Sequence, residues 1–348
     1  MSQGFGPQHV FITGALGFIG RRLLDRYRNA GYFVTGVDVR SDCKLGVVEG
    51  DITKRGTWQE AIAGSKLVIH TAAKVGMEGD ADSYWRINCL GTRHVIDACT
   101  KHKVHRLVHL SSVVVFGFEY PDGVDEQYPL RTNGVPYVDS KIASEHAVLQ
   151  AHAAGDVECT IVRPGDVYGP GSNFWTVAPL LALAARRLIL PAMGRGHLAP
   201  IFVDDLVRGV MLAAGSAEAS GQVFNLTGGE KVEAREFFGF YARMLRKARV
   251  PVAPTAVVTA IAATMRCLGR GPVTAAAVRY IARKGGYSVE KARQQLGFEP
   301  TTSLEEGMRR TKEWFEESQL PPTERLNEPQ LNDSDVFAAL RAKSRSPQ

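Results

Sequence analysis

The 348-residue sequence has no apolar run of the roughly 18 residues that a membrane-spanning helix requires. Its first residues, Met1–Gln8, carry neither the basic region nor the apolar core of a secretory signal, so no such signal is expected. Cysteine is scarce. Cys43, Cys89, Cys99, Cys159 and Cys267 are scattered, odd in number and without C-x-x-C spacing. That argues against a disulfide framework and a zinc site, and for reduced thiols in a cytoplasm. No Gly-Lys-Ser/Thr appears at the glycine turn, which excludes a P-loop. The formal net charge is +6, but the basic residues are dispersed. The densest cluster, Lys101–Arg106, reads as a solvated turn before a strand. With no aromatic platform or basic stripe, a nucleic-acid partner is not expected. His102, His105 and His109 lack an acid or cysteine to complete a ligand set, so a structural role is expected and no metal. No internal repeat is evident.

What the sequence does have is Val10–Gly20, VFITGALGFIG. The apolar run Val10–Ile12 suits a buried parallel strand. Three glycines follow, then the amphipathic segment Arg21–Arg28. Strand, glycine turn and helix together make a phosphate-binding signal. Gly14 takes backbone angles a side chain forbids. Gly17 admits a pyrophosphate close to the main chain, and Gly20 lets the helix lie against the strand. The helix N-terminus offers free N–H groups to the phosphates. The spacing is G-x-x-G-x-x-G rather than the commoner G-x-G-x-x-G. Asp38 ends the next apolar run, about 20 residues beyond the glycines, where a carboxylate holds a ribose 2′-hydroxyl and repels a 2′-phosphate. NAD is therefore favoured over NADP, although Arg40 blurs the preference.

Strand-like runs alternate with helical segments: Val10–Thr13, Val34–Asp38, Gly46–Gly50, Leu67–His70, Leu107–Ser111 and Thr160–Arg163. Such alternation predicts an α/β fold, a Rossmann-type doubly wound parallel sheet with ligands beyond the strands' carboxyl ends. After Gly169-Pro170-Gly171 the pattern becomes mixed. Trp175–Leu190 and Phe237–Arg249 read as helices. A smaller, interleaved C-terminal α/β substrate domain is expected: residues 1–173 plus 198–226 for the nucleotide, 174–197 plus 227–317 for the substrate, and 318–348 as a polar, partly disordered tail. Val252–Met265 holds fourteen residues without charge. Burial against the smaller domain is the expectation, with an apolar substrate wall or a membrane-surface contact as alternatives.

Tyr137 and Lys141 form Y-x-x-x-K and share a helix face, with Pro136 suited to that helix's start. An ammonium near a phenol favours the phenolate, which makes a proton acceptor for an alcohol or a donor to a ketone. Tyr280/Lys284 and Tyr287/Lys291 match the same spacing but lie beyond the parallel-sheet region, and ordinary structural roles are expected there. Ser112 ends a strand beside the predicted cleft and could hold the reacting oxygen, with Ser111 its rival. Asn88 is a candidate for bonding backbone near the site.

In order and spacing these residues resemble the extended short-chain dehydrogenase/reductase superfamily, of the NAD-dependent epimerase/dehydratase type. The likeness runs from about Val10 to Glu316. It rests on Thr13–Gly20, Asp38, Gly50-Asp51-Ile52, His70–Ala73, Asn88, Ser111–Gly117, Tyr137–Lys141, Arg163–Gly171 and Val203–Leu206. The resemblance implies Ser112, Tyr137 and Lys141 as catalytic residues. It implies NAD held by Gly14, Gly17, Phe18, Ile19, Gly20, Asp38, Asp51, Ile52, Ala72, Ala73, Tyr137, Lys141, Pro164 and Val167, and a homodimer. Sugar-nucleotide dehydratases of this superfamily carry Asp-Glu directly after the active-site hydroxyl residue. Val113-Val114 stand there, which argues against dehydration. The Ala/Val-rich stretch, Tyr287–Lys291, Leu296–Phe298 and Phe116 resemble the 3β-hydroxysteroid dehydrogenase-like branch. The expectation is NAD(H)-linked interconversion of a secondary alcohol and ketone on a largely apolar small molecule, sterol-like or 3-oxo-acyl-like. The alternative is a nucleotide-sugar epimerase, for which Arg195, Arg208 and Arg279 are candidate pyrophosphate ligands. A non-catalytic NAD sensor is a third reading, disfavoured by the intact Ser112/Tyr137/Lys141 set.

Overall fold

The computed structural model describes residues 8–268 and 273–318. The expected tail from Gln319 onward and the start at Met1–Pro7 lie outside the described residues. In chain order the first elements are β1 (His9–Thr13), α1 (Phe18–Asn29), β2 (Phe33–Asp38), β3 (Val47–Glu49), β4 (Leu67–His70), α2 (Ala81–Tyr84), α3 (Gly91–Lys101), β5 (Arg106–Leu110), α4 (Pro136–Ala153) and β6 (Glu158–Pro164). Then follow β7 (Asp166–Tyr168), α5 (Ala178–Ala184), β8 (His197–Leu198), β9 (Pro200–Phe202), α6 (Val203–Gly215), β10 (Val223–Leu226) and β11 (Val232–Glu233). The chain closes with α7 (Ala234–Met244), α8 (Thr255–Cys267), α9 (Ala275–Ile281), α10 (Glu290–Leu296) and α11 (Leu304–Glu317).

Seven strands form one parallel sheet in the order β3-β2-β1-β4-β5-β6-β10. Order reverses between β1 and β4, the switch point where ligands bind in such sheets. Each face is covered. Leu23, Leu24 and Tyr27 of α1 and Leu206, Val207 and Val210 of α6 pack on one side. Val95, Ile96 and Cys99 of α3 and Val148 and Ala151 of α4 pack with Trp58 on the other. Strands buried on both faces need near-continuous apolar sequence, and Val10–Ile12 and Leu107–Val108 supply it.

Beyond the sheet, β7 pairs with β9 in parallel and β8 with β11 antiparallel. Phe237, Phe238 and Tyr241 of α7 build a second core with Tyr168, Phe202 and Met308. A fully buried cluster ties β7 to the end of α9. The Asp166 carboxylate accepts from the Tyr280 hydroxyl (2.7 Å), the Ala199 N–H (2.8 Å) and the Arg283 guanidinium. Lone charges so deep would be costly, and here each has its partner.

Four local expectations change. The helix predicted over Trp175–Leu190 ends at Ala184, because Arg186 adopts a left-handed backbone (φ 56°). The one predicted over Phe237–Arg249 spans Ala234–Met244, with Arg246 left-handed (φ 54°). Arg106 is not in the solvated turn but starts β5, buried and paired with Glu158 at 2.9 Å. The uncharged stretch Val252–Met265 is not buried as a whole. Only Val258 and Ala262 of α8 reach the interior, against Val278 and Ile189, because those are the neighbours it has on one side.

Candidate active site

The glycine turn sits at the switch point. Gly14 has φ +67°, and a Cβ there would lie 2.8 Å from the Ala72 nitrogen, so the turn faces the end of β4. A Cβ on Gly20 would fall 2.1 Å from the Gly14 carbonyl oxygen, so only glycine lets α1 start this close to β1. The helix has no side-chain cap, and among the described residues the N–H groups of Phe18, Ile19 and Gly20 have no partner. Unpaired donors at a helix start suit a pyrophosphate. Asp38, ending β2, accepts from the Leu16 N–H (3.0 Å) and so lies over the same turn. Asp51 accepts from the Thr53 N–H at 2.9 Å, and Ile52 is buried against the place of Gly91. Ala72 and Ala73 follow β4, Pro164 ends β6 and Val167 lies in β7, half-buried. The residues present therefore fit a bound dinucleotide.

Tyr137 and Lys141 lie one turn apart in α4, both buried, with Pro136 in the first turn. Lys141 Nζ donates to the Leu110 carbonyl oxygen at 2.8 Å. That bond fixes the ammonium under the end of β5, beside Ser111 and Ser112. Burial pulls the Lys141 pKa down from 10.5 to about 8, with the Glu145 carboxylate working in the opposite direction. Ser112 caps the turn that follows it, accepting from the Val114 N–H at 3.3 Å. Its hydroxyl faces the Tyr137 phenol and favours the phenolate, but burial is the larger effect and raises the Tyr137 pKa. The expectation that Lys141 draws the phenol's pKa down is thus corrected. Desolvation of the ring outweighs every neighbour, and Lys141 is engaged with a carbonyl. Ser111, the rival, is buried with its hydroxyl unpartnered among the described residues.

The tyrosine ring is packed in a largely apolar neighbourhood. Tyr137 belongs to a buried cluster with Val113, Val114, Phe116, Phe118 and Tyr280, and its ring lies 6.0 Å from that of Tyr84. Asn88 braces the site's edge: its side chain accepts from the Lys74 N–H (2.8 Å) and donates to the Lys74 carbonyl (3.0 Å) and to Ser140 (2.9 Å). The later Y-x-x-x-K pairs are structural. Tyr280 donates to Asp166, Tyr287 accepts from Tyr120, and Lys291 donates to Gln222.

Sequence reading missed the support behind α4. Glu145, four residues past Lys141, forms a bidentate pair with Arg163 at 2.9 and 2.7 Å, both side chains buried. The i, i+4, i+8 spacing of Tyr137, Lys141 and Glu145 was the available signal. Behind it His70 bonds Thr13 (2.6 Å) and Thr92 (2.9 Å), and His109 bonds Ser144 (3.0 Å). Burial pushes His70 to about pKa 3 and His109 in the same direction, with Lys141 adding to both.

A parallel sheet with this strand order, a glycine turn at its switch point and a buried tyrosine–lysine pair defines an NAD-linked Rossmann-type enzyme. The chain belongs to the NAD dependent epimerase/dehydratase family, whose model matches residues 10–227, within the extended short-chain dehydrogenase/reductases. It is 29% identical over 333 residues to a 2-alkyl-3-oxoalkanoate reductase of Stenotrophomonas maltophilia, covering 87% of this chain and 98% of the relative. It is 28% identical over 248 residues to the decarboxylating sterol-4-alpha-carboxylate 3-dehydrogenase of Bos taurus, covering 67% and 68%. Among solved structures, MoeE5 in complex with UDP-glucose and NAD is similar with a TM-score of 0.73 and 26% identity, over 89% of this chain and 99% of that one.

Proposed function

We propose that the protein interconverts a secondary alcohol and a ketone on a largely apolar substrate, sterol-like or 3-oxo-acyl-like, with NAD(H) as partner. The observation that carries this is the setting of Tyr137: its phenol meets the Ser112 hydroxyl, and its ring belongs to a buried cluster of valines and aromatics. The reductase and dehydrogenase relatives support it.

NAD, when bound, accepts or returns the hydride. Gly14, Gly17, Phe18, Ile19 and Gly20 would hold its pyrophosphate, and Asp38 its adenosine ribose. Asp51 and Ile52 would meet the adenine, while Ala72, Ala73, Pro164 and Val167 would line the nicotinamide side. Ser112 orients the substrate oxygen toward Tyr137, which takes the alcohol proton or gives one to the ketone. Lys141, tethered to Leu110, offers the remaining ammonium protons to a ribose and to the phenol side of the cleft. Val113 and Val114, fully buried, leave no acid or base where water loss would need one. The nucleotide-domain and substrate-domain division given above, a homodimer through helices of the nucleotide-binding half, and a cytoplasmic site of action belong to this proposal. Exposed Trp85 and Leu90 beside α3 support the dimer, and five free cysteines the reducing compartment.

A nucleotide-sugar epimerase is the reading to beat. Of its three candidate arginines, Arg208 is held by Asp205 (3.1 Å) and Arg279 by Glu119 (2.8 Å). The test is incubation of purified protein with NAD and a panel of hydroxysteroids, 3-hydroxyacyl compounds and sugar nucleotides, following NADH absorbance. Net NADH from an apolar alcohol is the expected result. Sugar interconversion without net NADH overturns the proposal.

A further inference from the structure

Charge is distributed unevenly along the chain. Residues 174–203 and 237–289 contain twelve Lys or Arg and no Asp or Glu, while the other 265 residues carry 30 basic and 36 acidic side chains. The whole positive excess therefore lies in two segments, and the structure brings them together. The Leu190 N–H donates to the Pro251 carbonyl (2.9 Å), the Ala253 N–H to the Leu190 carbonyl (3.0 Å) and the Met193 N–H to the Ala253 carbonyl (3.0 Å). Arg186 and Arg187 lead into this junction from one strand of it, and Arg246, Lys247 and Arg249 from the other. Arg266 stands at the far end of α8. Among the described residues none of these six, nor Arg195, pairs with a carboxylate, although nineteen pairs between lysine or arginine and a carboxylate form elsewhere.

Between these cations α8 presents an apolar stripe to the outside. Val257, Ile261 and Met265 recur every four residues and are 47%, 42% and 37% exposed; Leu268 is 61% exposed and Met193, on the adjoining turn, 47%. The opposite side of the helix, Val258 and Ala262, packs inward. A helix with one face anchored and the other apolar, with unpaired cations in the junction at its start and Arg266 in its last turn, matches the physics of a surface-lying membrane contact: side chains enter the acyl boundary while cations meet lipid phosphates.

We propose that the outward face of α8, with the cations at its two ends, docks the protein on an anionic phospholipid bilayer. A second copy of the chain is the poorer occupant, since two such faces brought together would oppose cation to cation. A soluble acidic partner would match the cations but not the stripe. The proposal does not depend on which alcohol the active site turns over.

The test is co-sedimentation of the full chain with phosphatidylcholine vesicles and with vesicles enriched in phosphatidylglycerol, at low and high salt. Expected is binding to the anionic vesicles, weak binding to the neutral ones, and weakening by salt. Each basic residue lost from Arg246, Lys247 and Arg249, changed to Ser, lowers affinity about fivefold. Ile261→Asp lowers it at least about tenfold with melting temperature unchanged, since the residue is exposed. No sedimentation with anionic vesicles overturns the proposal, as does binding undiminished by Ile261→Asp. Gel filtration closes the remaining route: if Ile261→Asp turns an oligomer into a monomer, the face belongs to another copy and the lipid proposal fails.

Discussion

At the scale of single residues the site depends on α4. Tyr137→Phe keeps the ring in its cluster and removes only the hydroxyl. Its turnover falls by about 100-fold or more, while its melting temperature barely moves; steady-state kinetics and calorimetry check both. Lys141→Met separates stability from activity. The folded pKa, about 8, lies below the ordinary 10.5, so between those values the unfolded chain binds more protons and stability rises with pH. At neutral pH the buried ammonium therefore costs stability, and Lys141→Met stabilises by up to about 3 kcal/mol, a gain that fades as pH approaches 10.5. Urea titrations at neutral and alkaline pH measure it, alongside lost turnover. Tyr137 and Lys141 are legible in the sequence because their spacing puts them on one helix face and, unlike the two later pairs of the same spacing, they fall within the parallel-sheet region; the choice of Ser112 over Ser111 rests on the family resemblance. The sign of the Tyr137 shift is not legible, since it depends on how much water the fold removes. Glu145 was overlooked because a lone acid in a helix ordinarily faces solvent, and Arg163, its partner, is 18 residues away.

At the scale of elements the glycine turn is the least forgiving. Gly20→Ala puts a methyl carbon where the Gly14 carbonyl oxygen stands. The shift required costs about 1–3 kcal/mol and lowers NAD affinity by about tenfold, read by thermal melts and by NADH fluorescence titration. The parallel strands were readable because burial on both faces demands apolar runs. Helix ends were less so: Arg186 and Arg246 take left-handed backbones that nothing in their side chains announces. The α8 stretch shows the deeper limit. An uncharged run of Ala, Val and Thr has the same composition inside a core or on a surface, and only the neighbours decide.

At the scale of the whole molecule, acid is the weak direction. His70 and His109 are buried neutral behind the site, and the folded His70 pKa of about 3 lies below the ordinary 6.5. As pH falls through that interval the unfolded chain gains protons the folded one refuses, so stability declines. His70 alone contributes about 1.4 kcal/mol per pH unit once the slope is developed. His70→Gln, which keeps a donor and an acceptor for Thr13 and Thr92, flattens this limb. Denaturant midpoints from neutral pH to about pH 4 show whether it does.

The Asp166–Tyr280–Arg283 cluster has a practical consequence for anyone building chimeras. A graft that stops at the last sheet strand discards the guanidinium and the phenol and leaves the carboxylate sealed in the interior without its counter-charge, held only by the Ala199 N–H, a defect of about 3–5 kcal/mol. Exchanging substrate specificity between relatives therefore requires the splice to carry Tyr280 through Arg283 from the same parent as Asp166.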